Sequence, residues 1–357
     1  MNLWNHDEPL DQSQPLRWAQ VRQLEAYIDG LMDAADAARA SRWDYDFSSV
    51  GAYRASVEPL RQHLCERLGY PPPGEPADAE PRWEQIHETD LVRIFRVHVP
   101  VRRGLDCYGL YFQRLGLPEP RPLLVCKHGG GGYPELASNF ETPGNYGHMM
   151  ERAVEAGYSV WAPYTVYPDA WEGLPRSQRR KSLHFKATLA GTTLSGIELF
   201  KLSASLDAIA ARPEIDADRI GMVGLSYGGY FTLFATALDE RIKAACSSCY
   251  FNDRREVLVR KIDDDAFFDW HLWNLLGELA DEQLVALVCP RPLVLEVGTR
   301  DELFLVDGAR RAFELAKAPY ERLGVGDRVH LEVTDGGHEF HGVKALDVIN
   351  ATLRPDA

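Results

Sequence analysis

The 357-residue chain is 45% hydrophobic and 26% charged, with a formal charge of −14 at pH 7. It has no apolar run of the roughly 18 residues that a membrane-spanning helix needs. It also lacks a basic face interleaved with aromatics, so its acidity excludes nucleic acid as a partner.

That length allows one large core with an appendage. The N-terminal stretch "MNLWNHDEPLDQSQ" lacks the basic start and apolar run of a signal peptide, so a cytoplasmic location is expected. Cys65, Cys107, Cys126, Cys246, Cys249 and Cys289 are scattered through apolar segments, which reads as reduced core thiols and not a disulfide framework. Cys246 and Cys249 form a CxxC, but "IKAACSSCY" reads as a buried strand whose positions i and i+3 face opposite ways. No second Cys or His pair supplies the remaining ligands of a metal site.

In the first eighty residues, Val21, Leu24, Ile28, Leu31 and Ala35 recur at helical spacing. So do Tyr53, Val57, Leu60, Leu64 and Leu68, with Gly69 as the stop. Such stripes are expected to pack on the main domain, close to the site entrance. "PPPGEPADAEP" (Pro71 to Pro81) then reads as a linker. The division expected is therefore a helical segment and linker over 1–82 and a catalytic domain over 83–357.

From there strands alternate with helices. "LVRIFRVHV" and "DCYGLYFQRL" suggest two antiparallel opening strands. "RPLLVCKH", "GYSVWAPY", "RIGMVG", "IKAACSSC", "RPLVLEVG" and "RVHLEVTD" are short apolar runs suited to a sheet covered on both faces. Helices are expected at 194–212, 228–238 and 307–323. The pattern predicts an α/β fold with a mostly parallel, eight-stranded sheet on the α/β-hydrolase plan.

Within it, "RIGMVGLSYGGYFTLFATAL" places Ser226 between Gly224 and Gly228, after a strand and before a helix. A nucleophile elbow has this arrangement: the serine sits on a strained turn, and side chains at the flanking glycines would collide with the neighbouring strand and helix. Serine needs a base, and the base an orienting carboxylate, each beyond a later strand end in the order Ser, acid, His. Asp301 in "VGTRDELF" and His338 in "TDGGHEFHG" meet that order. Glu302 and His341 are their rivals. In "CKHGGGGYPE" the glycines let amides approach a substrate closely, so Gly130 or Gly131 would complete an oxyanion hole with the amide of Tyr227. No Lys-Ser/Thr follows those glycines, which argues against a phosphate loop.

Insertions at about 168–193 and 251–280 are expected to cap the site. His128, Arg179, Trp270 and Trp273 are candidates for substrate contact. Arg176, Arg179, Arg180 and Lys181 read as a solvated basic face, opposite Asp263 to Asp265. The two tryptophans, three apart, suit the core face of a short helix equally well.

The segments "RPEIDADRIGMVGLSYGGYFTLFATALDERIKAA", "CPRPLVLEVGTRDELFLVDGARRAFE" and "DGGHEFHG" together resemble the acetyl xylan esterase-like and dienelactone hydrolase-related branch of the α/β-hydrolases, over roughly residues 90 to 353. The resemblance implies Ser226 as nucleophile, Asp301 as acid and His338 as base. It also implies an esterase that deacetylates carbohydrates. Dienelactone hydrolases themselves carry cysteine where this chain has Ser226. "GLSYGGY" is also similar to the elbow of the prolyl oligopeptidase group, and "HGGGG" to the hormone-sensitive lipase group.

The expectation is a serine carboxylesterase for a small-molecule, short-acyl ester, requiring no metal or organic cofactor; homo-oligomerisation stays open. Carbon–carbon bond hydrolysis or peptide cleavage on the same triad is the alternative. A silent hydrolase fold that binds a ligand is the reading from another class.

Overall fold

The computed structural model describes residues 3–4, 6–140, 144–167, 176–262 and 268–354, with the side chains of 176 and 177 left out. Its helices are α1 (Leu10–Ala40), α2 (Val50–Ser56), α3 (Glu58–Leu68), α4 (Pro134–Ala137), α5 (Met149–Glu155), α6 (Arg176–Leu189), α7 (Leu194–Ala210), α8 (Tyr227–Leu238), α9 (Arg254–Arg260), α10 (Asp281–Val288), α11 (Val306–Ala316), α12 (Ala318–Arg322) and α13 (Val343–Leu353). Its strands are β1 (Arg82–Glu88), β2 (Val92–Arg102), β3 (Leu105–Arg114), β4 (Arg121–Lys127), β5 (Ser159–Pro163), β6 (Ile215–Leu225), β7 (Ile242–Ser248), β8 (Leu293–Gly298) and β9 (Val329–Thr334).

These strands form one sheet of nine, in the order β1-β2-β3-β5-β4-β6-β7-β8-β9. Pairing is antiparallel from β1 to β3 and between β3 and β5, and parallel from β5 onwards. The sheet thus has one strand more than the sequence suggested. The extra strand is "RWEQIHE", an edge strand with no buried residue, and without an apolar alternation it carries no strand signal. The inner strands β4, β5 and β8 are buried along their whole length, as expected for strands covered on both faces.

Strand order reverses at β5 and β4, so connections leave β4 and β6 on opposite faces and open a crevice beyond their C-terminal ends. β4 and β6 are direct neighbours, with Lys127 paired to Gly224. The "HGGGG" loop and the Ser226 turn, almost a hundred residues apart in sequence, therefore leave the sheet side by side.

The two N-terminal helical stripes meet different fates. Tyr53, Leu60, Leu64 and Leu68 are buried in the same core cluster as α7, α8 and α10. Tyr53 donates to the carbonyl of Ala286 at 2.8 Å. Gly69 caps α3 in the left-handed conformation at φ 58°, where a Cβ would lie 2.4 Å from Thr192 Cα. In contrast, α1 buries no residue at all, so the expectation that it packs on the domain fails for most of its length. The predicted helix at 307–323 is divided into α11 and α12 at Lys317, next to Pro319.

Because Leu64 is a fully buried core residue, Leu64→Ala should cost about 2–5 kcal/mol. Urea denaturation would register this as a lower midpoint with an unchanged slope.

Candidate active site

Ser226 sits at the end of β6 and caps α8, with φ 60° and ψ −117°. A non-glycine residue holds such a backbone only when its surroundings enforce it. Here they do so by crowding. A Cβ at Gly224 would lie 2.3 Å from the Gly228 carbonyl, and one at Gly228 would lie 2.2 Å from the carbonyl of Lys127. The turn is further fixed by a 2.8 Å hydrogen bond from Ser226 N to Ser248 O.

His338 and Asp301 come together as expected, with His338 Nδ1 2.8 Å from Asp301 Oδ2. The other carboxylate oxygen accepts the amides of Leu303 and Phe304 at 2.8 and 3.1 Å. Burial pushes the Asp301 carboxyl up. The His338 hydrogen bond, the His338 charge and the two amides outweigh it and hold the group below its ordinary value. Phe304 stacks on the imidazole, with centroids 5.9 Å apart. The rivals lie elsewhere: Glu302 is exposed, and the His341 ring faces Glu339 at 3.6 Å. Cys249 Sγ lies within 4.8 Å of the ligand atoms of Asp301 and His338. Burial, then the Asp301 charge, push its thiol up to about 12, so it stays protonated. The strand ends at Ser248, and Cys249 lies beyond it at φ 49°.

In the glycine loop, Gly129 N donates to Tyr146 Oη at 3.1 Å and Gly132 N to the Gly129 carbonyl at 3.1 Å. Neither bond occupies the amides of Gly130 and Gly131, and Gly131 takes φ 73°. The amide of Tyr227 belongs to the first turn of α8, where N–H groups lack intrahelical acceptors.

Of the expected substrate contacts, His128 is buried, with both ring nitrogens occupied by backbone: Nδ1 faces Gly129 O at 2.9 Å, and Nε2 accepts Thr165 N at 3.0 Å. That pattern fixes a neutral Nδ1–H tautomer, so His128 is a clip between loops and offers no polar atom to a ligand. Trp270 is a core aromatic, stacked on Tyr230 at 5.4 Å. Trp273 is 78% exposed and carries the Arg67 guanidinium 4.7 Å from its ring centre. No short helix unites the two tryptophans: a single 3-10 turn, Phe268–Trp270, gives way to irregular chain. Arg179 is half-buried and engaged in contacts of its own.

The sequence reading missed two devices. Arg180, expected on a solvated face, is buried and paired with Asp269 at 2.6 Å. The Arg180 guanidinium also donates to the Tyr227 hydroxyl and to Val166 O, and Tyr227 Oη donates to Asp269. This chain ties α6, the 3-10 turn and the Ser226 turn together. Asp263 to Asp265, expected opposite Arg176 to Lys181, lie outside the described residues, as do 168–175 of the first insertion. The second device is Glu296 on β8. It accepts Ser248 Oγ at 2.6 Å, His341 N at 3.0 Å and Gly342 N at 2.6 Å, and so holds the His338 loop down on the sheet. A Glu within the apolar run "RPLVLEVG" was the available signal, because a carboxylate in a buried strand must have partners.

No family model matches the chain. YtaP of Bacillus subtilis (strain 168), which carries a provisional hydrolase name, is 25% identical over 285 residues, covering 78% of this chain and 92% of its own. A carbohydrate esterase, MZ0003, of an unknown prokaryotic organism is 28% identical over 142 residues, 36% of this chain and 33% of its own. Among solved structures, a glucuronoyl esterase from Solibacter usitatus superposes with a TM-score of 0.62 at 15% identity, covering 85% of this chain and 94% of that one. Acetyl xylan esterase 1 from Thermoanaerobacterium sp. JW/SL YS485 does so with 0.56 at 16% identity, covering 84% and 94%. The chain has an α/β-hydrolase fold.

For a depressed carboxyl, the stability contribution is present above the unfolded-state value and is lost as pH falls through the folded-state value. Asp301→Asn should therefore destabilise the protein at pH 7. The gap to wild type in urea midpoint should narrow as pH drops through and below the ordinary carboxylate range.

Proposed function

We propose that the protein is a serine carboxylesterase cleaving short-acyl esters, with acetylated or otherwise esterified carbohydrate as the substrate class. The observation that carries this reading is the imidazole of His338, hydrogen-bonded to buried Asp301, together with a serine held at φ 60° on a strand-to-helix turn. The carbohydrate esterases among its relatives and structural neighbours support the substrate class.

In this reading Ser226 Oγ attacks the ester carbonyl carbon while its proton passes to His338 Nε2. Asp301 keeps Nδ1–H directed at itself and offsets the charge that develops on the ring. The carbonyl oxygen becomes an oxyanion and accepts hydrogen bonds from the amide of Tyr227 and from Gly130 or Gly131. Collapse expels the alcohol, which takes the proton from Nε2. Water then attacks the acyl carbon and gives a proton to the same nitrogen; the bond between that carbon and Oγ breaks, Oγ takes the proton from Nε2, and the acid leaves.

Ser226→Ala should lower kcat on p-nitrophenyl acetate by on the order of 10⁴ to 10⁶. A fluorophosphonate probe should label wild type at Ser226 alone. Retention of activity in the alanine variant would assign the chemistry to another group. A panel of acetylated sugars, uronate esters, β-diketones and aminoacyl amides separates ester cleavage from carbon–carbon and peptide cleavage.

A further inference from the structure

The oxyanion hole proposed above takes its donors from two segments: the first turn of α8, through the Tyr227 amide, and the glycine loop, through Gly130 or Gly131. Among the described residues, the hydrogen bonds of that loop run to Tyr146, to His128 and within the loop, and none reaches α8. The close contact at Gly228 fixes the base of the loop, at the carbonyls of Lys127 and His128. Two residues further on, Gly130 rests against a side chain instead. A Cβ there would lie 3.5 Å from Cε2 of Tyr167, so the Tyr167 ring backs this glycine at ordinary van der Waals distance.

One guanidinium joins Tyr167 to Tyr227. Arg180, 1% exposed, donates from one nitrogen to the Tyr227 hydroxyl and from another to the carbonyl of Val166, the residue before Tyr167. Its central carbon lies 4.7 Å from the centre of the Tyr227 ring and 5.1 Å from that of Tyr167. The two rings are 6.1 Å apart and inclined at 72°. Buried Asp269 meets the nitrogen that faces Tyr227 at 2.6 Å and accepts the Tyr227 hydroxyl. A planar fork of fixed N–H groups can serve both segments at once, whereas an ammonium is a point charge without that geometry.

We propose that Arg180 is a positioning residue for the oxyanion hole. It acts through Tyr227 on one side and through Val166 and Tyr167 on the other, and keeps the two sets of donors at the separation that the tetrahedral intermediate requires. Donors accelerate the reaction only when they are in place before the charge develops, and a misplacement of about 1 Å costs on the order of 10² in rate. This role rests on the esterase reading and concerns its oxyanion step alone.

The test compares wild type with Arg180→Lys and with Tyr227→Phe, which removes the hydroxyl link but leaves the Arg180–Asp269 pair and the Tyr227 amide. On p-nitrophenyl acetate, Arg180→Lys should lower kcat and kcat/KM by the same factor, about 10- to 100-fold, and Tyr227→Phe by a smaller one. The double variant should cost less than the product of the two losses, because both act on one link. A trifluoromethyl ketone bonds through its carbonyl carbon to Ser226 Oγ, whose proton passes to His338, and leaves its oxyanion in the hole. It should inhibit each variant more weakly by the factor lost from kcat/KM. The acid limb of the pH profile, which belongs to His338, should not move. An arginine with a purely structural role would lower the urea midpoint and leave kcat and ketone affinity of the folded variants unchanged, and that result would overturn the proposal. So would a shifted acid limb, or a raised KM with kcat intact. Tyr227→Phe decides the matter where Arg180→Lys does not fold. A wild-type protein that turns over no ester and takes no fluorophosphonate at Ser226 would overturn the esterase reading itself, and this role with it.

Discussion

The close approach of two backbones at Gly228 governs everything above the sheet. The chain there leaves no room for a side chain between α8 and the carbonyls of Lys127 and His128, so the end of β4 is locked against the start of α8. That contact sets the glycine loop beside the Ser226 turn and forces the serine into its unfavourable φ and ψ. The strain is local. The parallel pairing of β4 with β6 and the burial along β4 oppose it.

Three polar devices then orient groups around this point. Glu296 fixes the His338 loop from below, Asp301 fixes the imidazole from the side, and Arg180 with Asp269 fixes Tyr227 from above. Each is buried and bonds more than one neighbour, which is what makes buried charge tolerable, though Asp269 Oδ1 and Arg180 Nε find no hydrogen-bond partner among the described residues. A neutral histidine, His128, performs a similar service for the glycine loop without any charge.

How much of this the sequence disclosed depends on whether a feature is local. The Ser226 turn, the strand ends before Asp301 and His338 and the α3 stripe with its Gly69 stop were legible, because turn chemistry and periodicity are written in adjacent residues. The edge strand β1 was not: an exposed strand needs no apolar alternation. Arg180 was misread because its partners Tyr227 and Asp269 are 47 and 89 residues away, and a cluster of basic residues looks the same whether solvated or buried. The α1 stripe misled for the opposite reason. Its periodicity foretold a helix correctly, yet the period shows that a face seeks a partner and is silent on which surface provides it.

The Arg180 chain has a consequence for how such a protein can diverge. Its members come from three separate segments: α6, the 3-10 turn at Phe268–Trp270 and the turn after Ser226. Loops above a hydrolase sheet are usually free to vary, since only their tips meet the substrate. Here α6 shares a deep anchor with the residue after the serine. Segments 176–189 and 268–270 are therefore constrained to be inherited as a pair, and new specificity has to arise in the stretches around them.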